Sequence, residues 1–333
     1  MTVRKNLSID DYFDGIKGGD TTTLSRAITL VESKKEEHKK IAREVLKKIM
    51  PLTGKAKRIG ISGTPGVGKS TFIESFGNYL IDELGLKVAV LAVDPTSYKS
   101  GGSILGDKTR MNKLSINPKS FIRPTPSGLN LGGVASKTRE SLLLCEAAGF
   151  DVVIVETVGV GQSEITVSKL VDFFLVLMQP GAGDDLQGIK RGILELADLV
   201  AINKADGDKL LLARLAKGEY ESALHILRSS DFWVPPVTLC SALKSEGIED
   251  IWKIILDFYS KMSAEDRIET KRDDQVLKWL KELFFEKVNS KILSEPEFEN
   301  NLNSLHQNVL KNKLSVIEAS ESLFNDTFKE FNK

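Results

Sequence analysis

The stretch "RIGISGTPGVGKST", residues 58–71, constrains the fold more than any other part of the chain. An apolar run meets a glycine-rich turn, and Gly63 is followed after four residues by Gly68-Lys69-Ser70. Glycines let the backbone curl so that several N–H groups converge on one point, and a helix beginning at Lys69 adds the favourable dipole of its amino end. The pattern therefore predicts a strand that delivers its carboxyl end to a helix amino terminus, the unit of a parallel α/β layer. Its converging donors suit phosphate oxygens, with Gly63, Gly66, Val67, Gly68, Lys69, Ser70 and Thr71 forming the cradle. Lys69 is placed to reach the outer phosphates, and the Ser70 hydroxyl to ligate Mg²⁺.

The texture downstream agrees. "KVAVLAVD", "DVVIVET", "DFFLVLMQP", "ADLVAIN" and "PPVTLCSA" are continuous apolar runs without polar alternation. Such runs suit strands buried on both faces, hence a mainly parallel central sheet flanked by helices. Amphipathic stretches near 69–84, 134–148, 187–197, 207–228 and 247–260 supply the helices. Residues 1–57 read as an N-terminal helical extension, 58–262 as the nucleotide-binding domain, and 263–333 as a C-terminal arm of two amphipathic helices around "DDQVLKWLKELFFEKVNSKI" and "LSVIEASESLFNDTFKEF".

Composition narrows the function classes. The 333 residues carry 46 Lys+Arg and 46 Asp+Glu, a formal net charge of zero that gives no support to bulk nucleic-acid or anionic-membrane binding. Cys145 and Cys240 sit in apolar contexts and read as buried small hydrophobes in a reducing compartment. The acidic amino terminus lacks a signal core and no apolar run approaches a span, so a cytoplasmic setting is expected.

The run "LVAINKADGD", residues 199–208, ends in Asn203, Lys204 and Asp206. Behind a phosphate loop, a carboxylate at a strand's end has a direct use. Guanine presents N1–H and an exocyclic amine that one carboxylate accepts together, whereas adenine has no such edge. Asp206 is expected to read the base, Asn203 to meet the ring's acceptors, and the Lys204 stem to cover its face. Ser241, Ala242 and Leu243, at another strand end, offer a backbone N–H to the guanine carbonyl. The alternative is a charged loop without a ligand.

"VVIVETVGVGQSE" ends a strand at Glu156-x-x-Gly159. Glu156 stands where many GTPases carry aspartate; its carboxylate would act on Mg²⁺ through water, with the Gly159 N–H sensing the γ-phosphate. Val160 follows Gly159, so slow unaided hydrolysis is expected, and Gln162 lies two residues on. Asp94 ends the run "KVAVLAVDP", as a phosphate-site group or a turn cap. The long glycine-containing loop after it holds Asp107, a switch residue or a helix N-cap. Asp184 and Asp185 are open to a helix cap or a third nucleotide-responsive segment.

Taken together, the phosphate loop, "VDPTS", "SGGSILGDKTRM", "VETVGVGQSE", "QPGAGDDLQGIKRGILE", "NKAD" and "CSAL" closely resemble the MeaB/ArgK family, the methylmalonyl-CoA mutase-associated GTPases. The resemblance covers about residues 20–260. It implies a phosphate-loop GTPase using GTP/GDP and Mg²⁺, with Lys69, Asp107 and Glu156 as catalytic groups and Ser70, Asp94, Asp107 and Glu156 around the metal. It makes the segments near Asp107, Glu156 and Gly183–Lys190 three switches. It also implies a homodimer joined through the C-terminal arm, and a chaperone of an adenosylcobalamin-dependent acyl-CoA mutase, with a cobalamin adenosyltransferase as a further candidate partner. Two other readings are weighed. A metal-delivery GTPase of the nickel-enzyme type needs imidazole or thiolate ligands, yet His38, His225 and His306 are scattered. A kinase of periplasmic amino-acid-binding proteins needs a separate acceptor-hydroxyl site, and no motif supplies one.

Overall fold

A computed structural model describes residues 7–95, 111–127, 131–157, 163–181, 190–228 and 230–329. The chain divides into two compact units, Met1–Arg272 and Asp273–Lys333.

Among the described residues of the first unit, seven strands form one sheet: β1 (Lys57–Gly63), β2 (Val88–Pro95), β3 (Ser120–Ser127), β4 (Val152–Glu156), β5 (Phe173–Met178), β6 (Leu199–Ile202) and β7 (Val237–Leu239). Their order is β3-β2-β4-β1-β5-β6-β7, and every pairing is parallel. The fully buried runs of β4, β5 and β6 explain why their sequences lack polar alternation. The β3 strand was not predicted, because "SFIRPTPS" carries Pro124 and Pro126. It lies at the sheet edge, where an outward-facing N–H has no ladder partner to lose.

The first unit's helices are α1 (Ile9–Lys17), α2 (Thr21–Glu32), α3 (Glu36–Ile49), α4 (Lys69–Asp82), α5 (Asn112–Ile116), α6 (Leu131–Ala147), α7 (Ser163–Ser168), α8 (Lys190–Leu196), α9 (Leu210–Arg228) and α10 (Ile248–Ala264). The amino-terminal helical spacing breaks at Ser33–Lys35, so two helices form where the periodicity alone runs on. Helices α2 and α3 pack on α6, which in turn lies on β2, β3 and β4. A core joining α4, α10 and the sheet contains Phe72, Phe76, Ile255 and Phe258. Phe258 meets Phe173 edge-on at 4.9 Å and Trp233 at 5.1 Å between ring centroids. Cys145 and Cys240 are free and buried, as their apolar contexts predict.

At the amino ends of β1 and β5 lies a buried ionic network. The Arg272 guanidinium donates to both Asp172 carboxylate oxygens, at 2.9 and 2.7 Å, and to the carbonyl of Ala56. Asp172 also accepts from the Arg58 backbone N–H and the Tyr259 hydroxyl. The Arg58 side chain forms a two-point bond to Glu146, at 2.8 and 3.0 Å. This cluster clamps the phosphate-loop strand at the end away from the loop.

The C-terminal segment contains three helices rather than the two expected: α11 (Arg267–Leu293), α12 (Pro296–Leu310) and α13 (Val316–Thr327). The middle one was missed because "PEFENNLNSLHQNVL" is rich in asparagine and thin in apolar residues; Pro296 at its first turn is the start signal. Helix α11 begins in the first unit and continues into the second. In the second unit Ser315 and Glu318 form a capping box on α13, and α12 packs on α13. Leu280, Phe284 and Phe285 on α11 and Ile317 and Phe324 on α13 are exposed. Among the described residues, no helix is long and apolar enough to cross a membrane.

Candidate nucleotide site

Because the sheet is parallel, β1, β4, β6 and β7 all end on one edge, and those predicted site residues at their ends that are described meet there. The turn after β1 requires two glycines in particular. Gly63 has φ +155° and a Cβ there would sit 2.5 Å from the Leu177 carbonyl oxygen, so only glycine keeps β1 against β5. Gly68, with φ +95°, N-caps α4, and a Cβ would lie 2.9 Å from Asn203 Nδ2. Helix α4 then starts at Lys69 as predicted.

The Lys69 ammonium folds back on the loop and donates to the Gly63 carbonyl at 2.7 Å and the Thr64 carbonyl at 3.4 Å. Burial holds it below the ordinary lysine range, while the charges of Glu156 and Glu164 act the other way. The Ser70 hydroxyl donates to Glu156 Oε1 at 3.4 Å, joining residues 86 positions apart. Glu156 is buried, opposite Ile61 on one side and Ala92 on the other. A hydroxyl and a carboxylate so placed are hard oxygen donors, the set that Mg²⁺ accepts and a softer metal does not prefer. Asp94 falls near the carboxyl end of β2, opposite Pro126. Asp107, Gly159, Gln162, Asp184 and Asp185 lie outside the described residues.

The turns after β6 and β7 close the other side. Asn203 is buried and ties three loops: its Nδ2 donates to the Val67 carbonyl at 2.8 Å, and its Oδ1 accepts from the Ala242 N–H at 3.0 Å. Lys204 adopts a left-handed conformation, φ +61°, which sends its stem across the loop so that Nζ donates to the Gly66 carbonyl at 2.5 Å and to Gln179 Oε1 at 3.1 Å. The Asp206 carboxylate accepts from the Ser241 hydroxyl. Leu243 is exposed at the tip of the β7 turn, which Ser75 of α4 holds through the Ala242 carbonyl at 2.5 Å. Sequence reasoning missed Gln179, Glu164 and the Val67 carbonyl. Gln179 and Glu164 were visible only as polar residues beside apolar runs, and a main-chain carbonyl carries no residue-type signal.

Residues 24–297 match the family described as methylmalonyl Co-A mutase-associated GTPase MeaB. The chain belongs to the MeaB family of GTPases. It is 49% identical over 311 residues to GTPase ArgK of Escherichia coli, covering 92% of this chain and 94% of that protein. It is 42% identical over 334 residues to the mouse mitochondrial methylmalonic aciduria type A homolog, covering 97% of this chain and 80% of the relative. The crystal structure of a LAO/AO transport system kinase superposes with a TM-score of 0.77 at 41% identity, over 97% of this chain and 99% of that one. This MeaB-family chain is thus a phosphate-loop GTPase that binds guanine nucleotide.

Proposed function

We propose that this GTPase is a chaperone of an adenosylcobalamin-dependent acyl-CoA mutase, methylmalonyl-CoA mutase foremost, coupling its nucleotide state to loading and protection of the mutase's cofactor. The observation that carries the proposal is the MeaB match over residues 24–297, a family described by its association with that mutase. A complex between this protein and a cobalamin-dependent mutase that forms with a non-hydrolysable GTP analogue and weakens with GDP is the expected result. Nucleotide-independent association, or none, would sink the reading. A cobalamin adenosyltransferase is a second partner to test in the same way.

Within the site, Asp206 takes the guanine N1–H and amine. Asn203 offers its second amide N–H to the ring, the Lys204 stem covers the base, and the turn Ser241–Leu243 meets the guanine carbonyl. The main-chain amides of Gly66–Thr71 and the Lys69 ammonium take the phosphates; Lys69 exchanges the Gly63 and Thr64 carbonyls for phosphate oxygen as nucleotide enters. Ser70, Asp94, Asp107 and Glu156 would hold Mg²⁺, which when bound neutralises charge on the β- and γ-phosphates. Gly159 senses the γ-phosphate, and the segments near Asp107, Glu156 and Gly183–Lys190 respond to it. Replacing Lys69 by Ala removes the ammonium that the loop carbonyls of Gly63 and Thr64 now hold. Phosphate release should fall by about 10²–10³-fold, the scale of losing one preorganised donor to transition-state charge. Release at the parent rate would remove Lys69 from catalysis.

The arm forms a homodimer in this proposal, supported by the apolar residues that α11 and α13 leave exposed. The pair Leu280→Asp and Phe284→Asp should halve the mass measured by light scattering without lowering single-chain GTP hydrolysis. A dimer that survives both charges places the interface elsewhere.

A further inference from the structure

We propose that the buried hydroxyl pair Ser62–Thr157 is a positioning device that holds the Glu156 carboxylate against Ser70, and through it sets the affinity of the site for a divalent ion. The inference rests on the placement of that ion at Ser70 and Glu156 and goes beyond it to two residues with no part in the site so far. Apart from Ser62 and the site's own Glu156, strands β1 and β4 carry apolar side chains or glycine at their other buried positions. Yet Ser62, one residue before the phosphate loop, is 0% exposed, and Thr157, one residue after Glu156, is 1% exposed. The Thr157 hydroxyl donates to Ser62 Oγ at 2.8 Å across 95 residues of chain. The Thr157 backbone N–H donates to the Ile61 carbonyl at 3.0 Å, so the ladder runs one residue beyond β4. Valine and alanine would pack in the same places without desolvating two hydroxyls, so packing alone does not call for the pair.

The location gives the pair a use. Glu156 is the last residue of β4, and its backbone sits between β1 and β2. A strand's final residue frays unless something beyond it is fixed. Thr157 is that fixed point, because its side chain and its N–H grip consecutive residues of the phosphate-loop strand. The strand end that carries Ser70's loop and the strand end that carries Glu156 are thereby locked in register. The 3.4 Å approach of Ser70 Oγ to Glu156 Oε1 depends on that register.

The test measures Mn²⁺ binding to the GDP complex by electron paramagnetic resonance, with the thermal midpoint followed in parallel. Thr157→Val leaves Ser62 buried without its donor and should weaken Mn²⁺ about tenfold, near 1.4 kcal/mol, while also lowering the midpoint. Thr157→Ser keeps the hydroxyl and should bind close to the parent value. The double variant Ser62→Ala with Thr157→Val removes both polar groups, so its midpoint should recover towards the parent, yet its Mn²⁺ binding should stay weak. Mn²⁺ binding of parental strength in the double variant would overturn the positioning role and leave only packing. Glu156→Gln serves as the reference: if it too binds as the parent does, the ion's placement fails along with the pair's role; if it alone weakens Mn²⁺, only the pair's role fails.

Discussion

Asp206→Asn should lower affinity for GDP by about 10²–10³-fold, corresponding to one or two charge-assisted hydrogen bonds, and should make xanthosine diphosphate a ligand. The sign follows from donor matching. A carboxylate accepts from both guanine N1–H and the exocyclic amine, whereas an amide offers one acceptor and one donor. That amide is mismatched to the guanine amine but fits xanthine, which has a carbonyl at the same position. The variant should fold normally, since Asp206 lies in a surface turn and an Asn oxygen can still accept from the Ser241 hydroxyl. Calorimetric titration with both nucleotides at fixed salt and Mg²⁺ checks it. Unchanged GDP affinity would take the base-reading role away from Asp206.

The second large effect is on stability and comes from the opposite end of the sheet. Arg272→Met should destabilise the first unit by about 3–5 kcal/mol, because Asp172 would remain as a buried, uncompensated carboxylate. At this size that shifts the thermal midpoint on the order of 10 °C. Pairing it with Asp172→Leu should recover much of the loss, since apolar replacement of a whole buried ion pair is often close to neutral. Failure to recover would show that the Tyr259 and Arg58 bonds to Asp172, not the charge pair, dominate. The network also sets an acid limb. Burial pushes the Asp172 carboxyl up, but the hydrogen bonds and charge of Arg272, aided by Arg58, outweigh it and leave the group below its ordinary value. A carboxyl depressed in the fold stabilises above its unfolded pKa of about 3.9, and that stability is lost as pH falls through the folded value. Asp198 has the opposite sign: burial raises it, so it costs stability once pH rises past its unfolded value and relieves that cost in acid. Acid unfolding of the parent below about pH 4 should therefore be steeper than that of Asp172→Asn.

How legible each feature was depended on the range of the forces behind it. Helix α4 began at the predicted Lys69 because a glycine turn and a helix start are local events. The β4, β5 and β6 strands were readable from runs of Val, Leu, Ile and Phe because burial on both faces leaves no alternation to confuse. The β3 strand was not readable, since its two prolines argue against any strand and only its edge position makes them harmless. Helix α12 escaped for want of an apolar stripe.

The family was written in the order of residues: a glycine-rich turn before a helix, a strand-end glutamate and an Asn-Lys-x-Asp element are short-range patterns, legible from residue type and spacing. What only the folded chain decided is how those patterns are joined. Asn203 spends its amide on Val67 and Ala242, Lys204 reaches Gly66 and Gln179, and Ser62 meets Thr157, each across dozens of residues. Such bonds are set by which strands lie side by side in a parallel sheet, and adjacency there is decided by packing over the whole core rather than by any one stretch of chain.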